Sequence, residues 1–379
     1  MSRKLATITK IKATTPIAGA DFIEVASMTT NNWVCVVKKG DFVPGDFGVY
    51  FEIDSFLPKE ERYVFLDGRS NKTWHGVEGY RLRTIKLRGH VSQGLVLPLS
   101  LFPEIQKPEE GNDVTELLNV KLYELLEPPS FNMGSRRRKQ PRLFPYFLRK
   151  TDQERLQSLS SERLTALSGR AFEVTEKLDG TSATYYYKDG HFGVCSRNLE
   201  LPTSFNKNIL MRAVEWFRKR FLWRNFEKQF GFPRSIYEHV AASEQINVKM
   251  AELYETLGVY YAIQGEIVGP TISDNRLKLN KICFYVFDVY DIDHQVYVDA
   301  AQRYNIVSML GLEHVPVIEL SAVLDFEKTP IVELIKSADG KSCLSDAIRE
   351  GLVYKQRGEH SSQDSFKIIS NEYLLKHGL

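Results

Sequence analysis

Short runs of β-branched and aromatic residues at positions 5–13, 22–28, 32–38, 48–54 and 81–87 crowd the first 125 residues. Turn-forming groups divide them: Pro16–Gly19, Lys39-Gly40-Asp41 and Pro44-Gly45-Asp46. Strands this short cannot bury an apolar face alone. Five or six of them in that length predict a sheet curled into a small barrel. An OB-like and an SH3-like barrel give the same spacing, and the OB type is the commoner one that handles nucleic acid. The rhythm ends in residues 128–142, where Pro128-Pro129, Gly134 and Arg136-Arg137-Arg138-Lys139 break any periodicity. The expected organisation is an OB-like β-barrel domain over 1–125, a basic linker over 126–145 and a second domain over 146–379. A chain of 379 residues is long for one core, which agrees with this division.

The second domain has a mixed pattern. Strands are predicted at 171–176, 181–187, 191–196, 260–268, 281–290, 352–356 and 365–369, with Lys188-Asp189-Gly190 marking a hairpin. Helical periodicity covers 206–229, and 235–257 is expected to contain helix. Strands interrupted by helices without regular βαβ alternation predict an α+β fold with antiparallel sheets.

Charge is informative in its distribution rather than its sum. Fifty Lys+Arg against 48 Asp+Glu leave +2, which argues nothing about nucleic acid. Between Arg136 and Lys150, however, seven residues are basic (136, 137, 138, 139, 142, 149, 150) and none is acidic. This reads either as a solvated loop or as a phosphate-binding segment. Trp216-Phe217-Arg218-Lys219-Arg220-Phe221-Leu222-Trp223-Arg224 reads as an RNA-facing stripe or as an amphipathic helix with its aromatics in the core. Arg81, Arg83, Lys86 and Arg88 form another basic segment, on the barrel. No apolar run approaches the roughly 20 residues that a membrane-spanning helix needs. Residues 1–15 lack the apolar stretch of a signal peptide. The four cysteines, Cys35, Cys195, Cys283 and Cys343, form no CxxC pair. These features predict a cytoplasmic protein with core cysteines and no membrane contact.

The stretch with chemistry in it is Glu176-Lys177-Leu178-Asp179-Gly180-Thr181. A lysine attacks only as the neutral amine, so a nucleophilic lysine needs a lowered pKa. Gly180 would let the backbone turn and approach a ligand. Asp179 could hold a metal or its waters. Alone, this is an ordinary β-turn, but four further groups follow in order. They are Cys195-Ser196-Arg197-Asn198, Tyr261-Ala262-Ile263-Gln264-Gly265-Glu266, Phe284-Tyr285-Val286-Phe287-Asp288, and the pair Arg349-Glu350-Gly351-Leu352-Val353-Tyr354-Lys355 with Ser365-Phe366-Lys367-Ile368-Ile369. The set resembles the motifs of the covalent nucleotidyltransferase superfamily of ATP-dependent DNA ligases, RNA ligases and mRNA capping enzymes. It is closest to the RNA ligases that carry an N-terminal OB-like domain. Tyr50-Phe51-Glu52-Ile53-Asp54-Ser55-Phe56-Leu57-Pro58 and Lys86-Leu87-Arg88-Gly89-His90-Val91-Ser92-Gln93-Gly94-Leu95 support that branch.

The resemblance implies a role for each residue. Lys177 would attack the α-phosphorus of ATP to form a lysyl-AMP. Asp179, Glu266 and Glu350 would surround Mg²⁺ or Mn²⁺, and Lys367, assisted by Lys355, would contact the α-phosphate. Glu176 would meet adenine, Phe287 would stack on it, Gly180 would line the nucleotide site, and Arg197 would contact ribose and the incoming 3′-OH. The implied protein is a monomeric ATP-dependent RNA ligase that joins 3′-OH and 5′-phosphate RNA ends, a nicked duplex among them. A DNA ligase or a non-catalytic nucleic-acid binder on the same fold is the alternative. A capping enzyme would carry an OB domain after residue 371, where only 372–379 remain. Many relatives have a second lysine where this chain has Ile369, which leaves Lys355 or Arg357 to complete the phosphate clamp.

Overall fold

The strand Ala6–Pro16 organises the N-terminal domain, because a register shift between Ile11 and Ala13 lets one strand serve two partners. Its first half pairs with Phe47–Phe51 and its second half with Ile23–Met28. A bulge of this kind bends the strand and turns a flat sheet into a barrel wall. Leu95–Pro98 and Val34–Lys38 extend the two ends into a five-stranded sheet. The ends meet where Val36 N donates to Ser92 Oγ (2.9 Å) and Gln93 N donates to Val34 O (3.0 Å). The result is a nearly closed OB-like barrel. A second sheet of Lys121–Leu122, Ser55–Pro58, Val77–Arg81 and Asn71–Trp74 lies beside it. The computed structural model describes residues 3–124, 141–205, 235–357 and 364–379. The basic run 136–139, the helix expected at 206–229 and the stripe 216–224 lie outside them.

One expected barrel strand is two elements. The run 81–87 divides into the end of Val77–Arg81 and the start of a hairpin, Ile85–Leu87 with His90–Ser92. Between them the backbone turns to other partners: Leu82 N donates to Ser55 O and Thr84 N to Leu379 O, both 2.9 Å.

The second domain contains two antiparallel-based sheets. The larger runs Arg142–Leu143, Leu199–Leu201, His191–Cys195, Thr181–Lys188, Tyr261–Val268, Cys283–Asp291, Val296–Tyr297, with Glu313–His314 beside Cys283–Asp291. The smaller runs Glu154–Arg155, Ser365–Ile369, Gly351–Gln356, Ala171–Lys177, Val317–Val323. Helices Ile236–Ser243, Ile246–Leu257 and Ala300–Met309 cover the larger sheet over a core that includes Val240, Met250, Ile263, Val289 and Ile306. The helix expected within 235–257 is split at Gln245, whose left-handed φ of 54° ends one helix and opens the next. Val317–Val323, Ala300–Met309, Ile331–Ser337 and Asn371–His377 carry no periodicity strong enough to be read beforehand.

The domains touch along residues 155–159. Asn32 N donates to Gln157 O (2.8 Å), Asn32 Nδ2 to Leu159 O (2.9 Å) and Trp33 Nε1 to Ser158 Oγ (3.3 Å).

Candidate active site

Alternation along strands builds this site. In the smaller sheet, Phe172, Val174, Leu352, Tyr354, Phe366 and Ile368 point into one apolar cluster. The intervening residues therefore share the opposite face: Glu173, Thr175 and Lys177; Gly351, Val353 and Lys355; Ser365, Lys367 and Ile369. Register stacks them in rows, Lys177 opposite Gly351 and Ile369, and Lys367 opposite Val353 and Thr175. After Lys177 the chain leaves this sheet, and Thr181 begins the other. Lys177 thus stands at the seam between sheets, with Leu178 buried beside Val268, Leu277 and Val315.

Gly180 serves this crossing. Its φ is not left-handed; instead, a Cβ there would lie 2.2 Å from Ile267 O and 2.8 Å from Val268 Cγ1. The glycine lets the loop lie against the Tyr261–Val268 strand, which brings Glu266 to the nucleophile.

Lys177 Nζ donates to Glu350 Oε2 at 2.7 Å. Burial opposes a charge on Lys177, but Glu350, Glu266 and Asp179 outweigh it and hold the amine above the ordinary lysine value. The lowered pKa expected of this lysine is therefore not supplied by its protein neighbours, which stabilise the ammonium. Burial pushes Glu266 up to about 8, with Lys177 opposing and Glu350 and Asp179 adding repulsion. Glu350 is also raised, first by burial, against the pull of Lys177.

Asp179 has hydrogen-bond partners of its own. Its carboxylate accepts from Arg276 Nη1 (3.0 Å) and from the Tyr373 hydroxyl, and Arg276 also donates to Tyr373 Oη (3.1 Å). Among the described residues no three His, Cys, Asp or Glu side chains converge to hold a metal. Asp179, expected with Glu266 and Glu350 around a metal, is engaged here by Arg276 and Tyr373, while its charge still acts on Lys177 and on both glutamates.

Lys367 makes no hydrogen bond or ion pair among the described residues. Burial, then repulsion from Lys177 and Arg155, bring its pKa down to about 7. Arg155 is a residue that the sequence reading missed. A two-residue parallel pairing sets it against Lys367. Its guanidinium lies 5.8 Å from the Trp33 ring and 3.7 Å from Asp54 Oδ2, both of the barrel, and its Nη1 is buried without a partner. Nothing local in Glu154-Arg155 signals this; only the fold brings it here.

Glu176 alternates away from Lys177. Its Oε2 accepts from Cys343 N at 2.7 Å, while Oε1 is buried with no hydrogen-bond partner. A buried acceptor left open costs about 1–3 kcal/mol unless a donor reaches it.

Lys355, expected to assist at the phosphate, already has partners. Its Nζ donates to Asp288 Oδ1 (2.7 Å) and to Phe287 O. Pairing steps from Gln264–Asp288 to Gly265–Val286, so Phe287 is the extra residue of a bulge and its carbonyl has left the ladder. Lys355 satisfies that carbonyl across the gap between sheets and holds the bulge that aims Phe287 at Leu178 and Val268. Arg357, the other expected cation, is exposed and donates to Leu320 O (3.0 Å) at the far end of the sheet. Arg197 is exposed and paired with Asp152 (2.8 Å), with Lys150 Nζ on neighbouring Asn198 (3.0 Å).

A lysine at the seam of two sheets, ringed by carboxylates, with a lysine free of hydrogen bonds and an arginine with one open Nη1 beside it and an open buried acceptor behind it, defines a lysine nucleotidyltransferase. An OB-fold domain family matches residues 5–99, and the RNA ligase family matches residues 170–369. Three solved structures of Naegleria gruberi RNA ligase are similar over the whole chain. A mutant with AMP and Mn is 38% identical, covering 99% of each chain with a TM-score of 0.81. The ligase with PPi is 37% identical, covering 100% of this chain and 99% of that one, with a TM-score of 0.81. A mutant with ATP and Mn is 38% identical, covering 99% of each, with a TM-score of 0.81. No curated protein matches the chain. The chain belongs to the RNA ligase family. The DNA ligase alternative is not favoured.

Proposed function

We propose that this protein seals RNA 3′-OH and 5′-phosphate ends, a nicked duplex among them, using ATP through a lysyl-AMP on Lys177. One observation carries it: the Lys177–Glu350 pair at 2.7 Å on the sheet face that also presents Lys367, which is free of hydrogen bonds and ion pairs among the described residues. In the first step the Lys177 Nζ–phosphorus bond forms as the bond to pyrophosphate breaks. Glu350, already accepting a hydrogen bond from Nζ and raised in pKa, is placed to take the proton. Lys367, when protonated, and Arg155 together offer positive charge to the developing phosphate charge, in place of the lysine that Ile369 replaces. The open Glu176 Oε1 suits a hydrogen-bond donor such as the adenine amine, and Phe287 offers a ring to the base. AMP then passes to the RNA 5′-phosphate, and attack by the 3′-OH releases it, with Arg197 at the ribose.

The donor set also suits a hard cation. Mg²⁺ and Mn²⁺ sites commonly use one or two carboxylates with water and substrate phosphate, and Glu266 and Glu350 are two buried carboxylates with raised pKa. Such an ion, when bound, would lower the amine pKa and neutralise phosphate charge.

We assign residues 1–125 to the barrel domain, 126–145 to a linker and 146–379 to the nucleotidyltransferase domain. The enzyme acts as a monomer, and its four unpaired cysteines suit a reducing cytoplasm. No helix of the described residues is long and apolar enough to cross a membrane. Incubation with α-³²P-ATP and Mg²⁺ or Mn²⁺ tests the proposal: the wild type becomes labelled in an acid-labile bond and Lys177→Ala does not. Labelled Lys177→Ala protein would overturn it.

A further inference from the structure

We propose that the hairpin Ile85–Ser92 is a grip for the phosphate backbone of the RNA being joined; this rests on the RNA-sealing reading above. The hairpin consists of Ile85–Leu87 and His90–Ser92, joined by Arg88-Gly89. Lys86 and Arg88 are exposed, and so is Arg83 at its root. Among the described residues none of these three forms an ion pair. Arg83 Nη2 instead donates to the backbone carbonyl of Arg69 (3.1 Å). Cations gathered without counter-charge repel one another, and a polyanion relieves that repulsion. Arg81, grouped with them by sequence, is not part of the patch, because it is paired with Asp54 at 3.1 Å.

The tip adds a second observation. Arg88 has φ 47° and Gly89 φ 87°, so both central residues of the two-residue turn are left-handed. Such turns favour Asn-Gly, and arginine is a poor choice for the first position. Stability alone would not place arginine there; a need for charge at the tip would.

Position relative to the nucleophile is fixed by a short chain of bonds. Thr84 N, at the hairpin root, donates to Leu379 O (2.9 Å), and the Arg83 guanidinium packs at Gly378. These residues end the helix Asn371–His377, whose Tyr373 hydroxyl donates to Asp179, two residues from Lys177. A seven-residue helix spans about 10 Å. The root of the hairpin is therefore held about one short helix away from the nucleophile loop, and RNA flanking the break would run past it.

Arg88→Asn gives the sharpest test, because asparagine suits the turn and removes the charge. A nicked RNA duplex is titrated by fluorescence anisotropy at several KCl concentrations, against full-length wild type, Arg88→Asn and Lys86→Ala/Arg88→Asn. Each lost phosphate contact should lower the log–log salt slope by about 0.9, and the double variant should bind on the order of tenfold more weakly at moderate salt. Melting temperature should hold or rise. ATP labelling in the absence of RNA should be unchanged in both variants, and sealing should fall only at sub-saturating RNA. Unchanged affinity and salt slope in the double variant would overturn the proposal. Failure of wild-type labelling would instead count against the ligase reading, so the two failures are distinct.

Discussion

Replacing Gly180 by alanine separates two reasons for a glycine beside the nucleophile. The added Cβ would sit 2.2 Å from Ile267 O, 2.8 Å from Val268 Cγ1 and 3.0 Å from Glu266 Cγ. The first contact is short by about 1 Å against an ordinary non-bonded separation, and its partner is backbone within a central strand. Overpacking of this kind costs about 1–3 kcal/mol. For a domain of this size that is roughly 2–4 °C per kcal/mol, or roughly 6 °C at mid-range. The relaxing element is either the Lys177–Thr181 loop or the strand carrying Glu266, so a shift of about 1 Å separates nucleophile from carboxylates and can cost about 10²-fold in rate. Gly180→Ala should therefore melt lower by differential scanning fluorimetry and form lysyl-AMP about 10²-fold more slowly at saturating ATP. Gly351→Ala, whose Cβ would meet Ile368 O at 2.1 Å, should behave alike. If the glycine served ligand approach, only the KM for ATP would rise. A Gly180→Ala protein with wild-type melting and unchanged kcat would refute the packing argument.

Lys367 loses its charge as pH rises through about 7, so the KM for ATP in the labelling reaction should rise across that pH, whereas Lys367→Arg should stay flat. The same lysine binds its proton up to about pH 10.4 when unfolded, so its cost to folding is full below 7 and vanishes as pH climbs towards 10; the Lys367→Met variant should lack that rise in denaturant midpoint. Lys355→Met leaves Asp288 with only Arg303 at 3.9 Å and should cost about 3–5 kcal/mol of stability, read from denaturant melts. Adding Asp288→Asn should recover much of that stability, yet the KM for ATP should stay raised because the Phe287 bulge is no longer held. Tyr373→Phe removes a donor to the Asp179 carboxylate, worth about 1.5–3 kcal/mol; adenylylation should slow while Arg276 keeps the loop folded, and unchanged labelling would show that Arg276 alone suffices.

Much of the architecture was legible because it depends on local alternation and turn chemistry. The run 365–369 matches the observed strand Ser365–Ile369, and Lys188-Asp189-Gly190 does join Thr181–Lys188 to His191–Cys195. The same alternation determines which side chains share a face, so Lys177, Lys355 and Lys367 were bound to project together once three strands paired. What alternation cannot supply is the partner across a gap. Lys355 reads as a cation available to phosphate until the opposite sheet brings Asp288 and a freed carbonyl to it. Asp179 reads as a metal ligand, and only the packed chain shows that Tyr373, 194 residues away, also donates to it. Arg155 carries no local signal, because its place beside Lys367 and under Trp33 comes from two strand residues and a domain contact. The sequence by itself determined the elements, their faces and the order of the reactive groups, since these depend on bonds between near neighbours. Only the tertiary structure decided which charges are spent on one another and which are left open for a ligand, since charges separated by hundreds of residues acquire a distance only when the chain is packed.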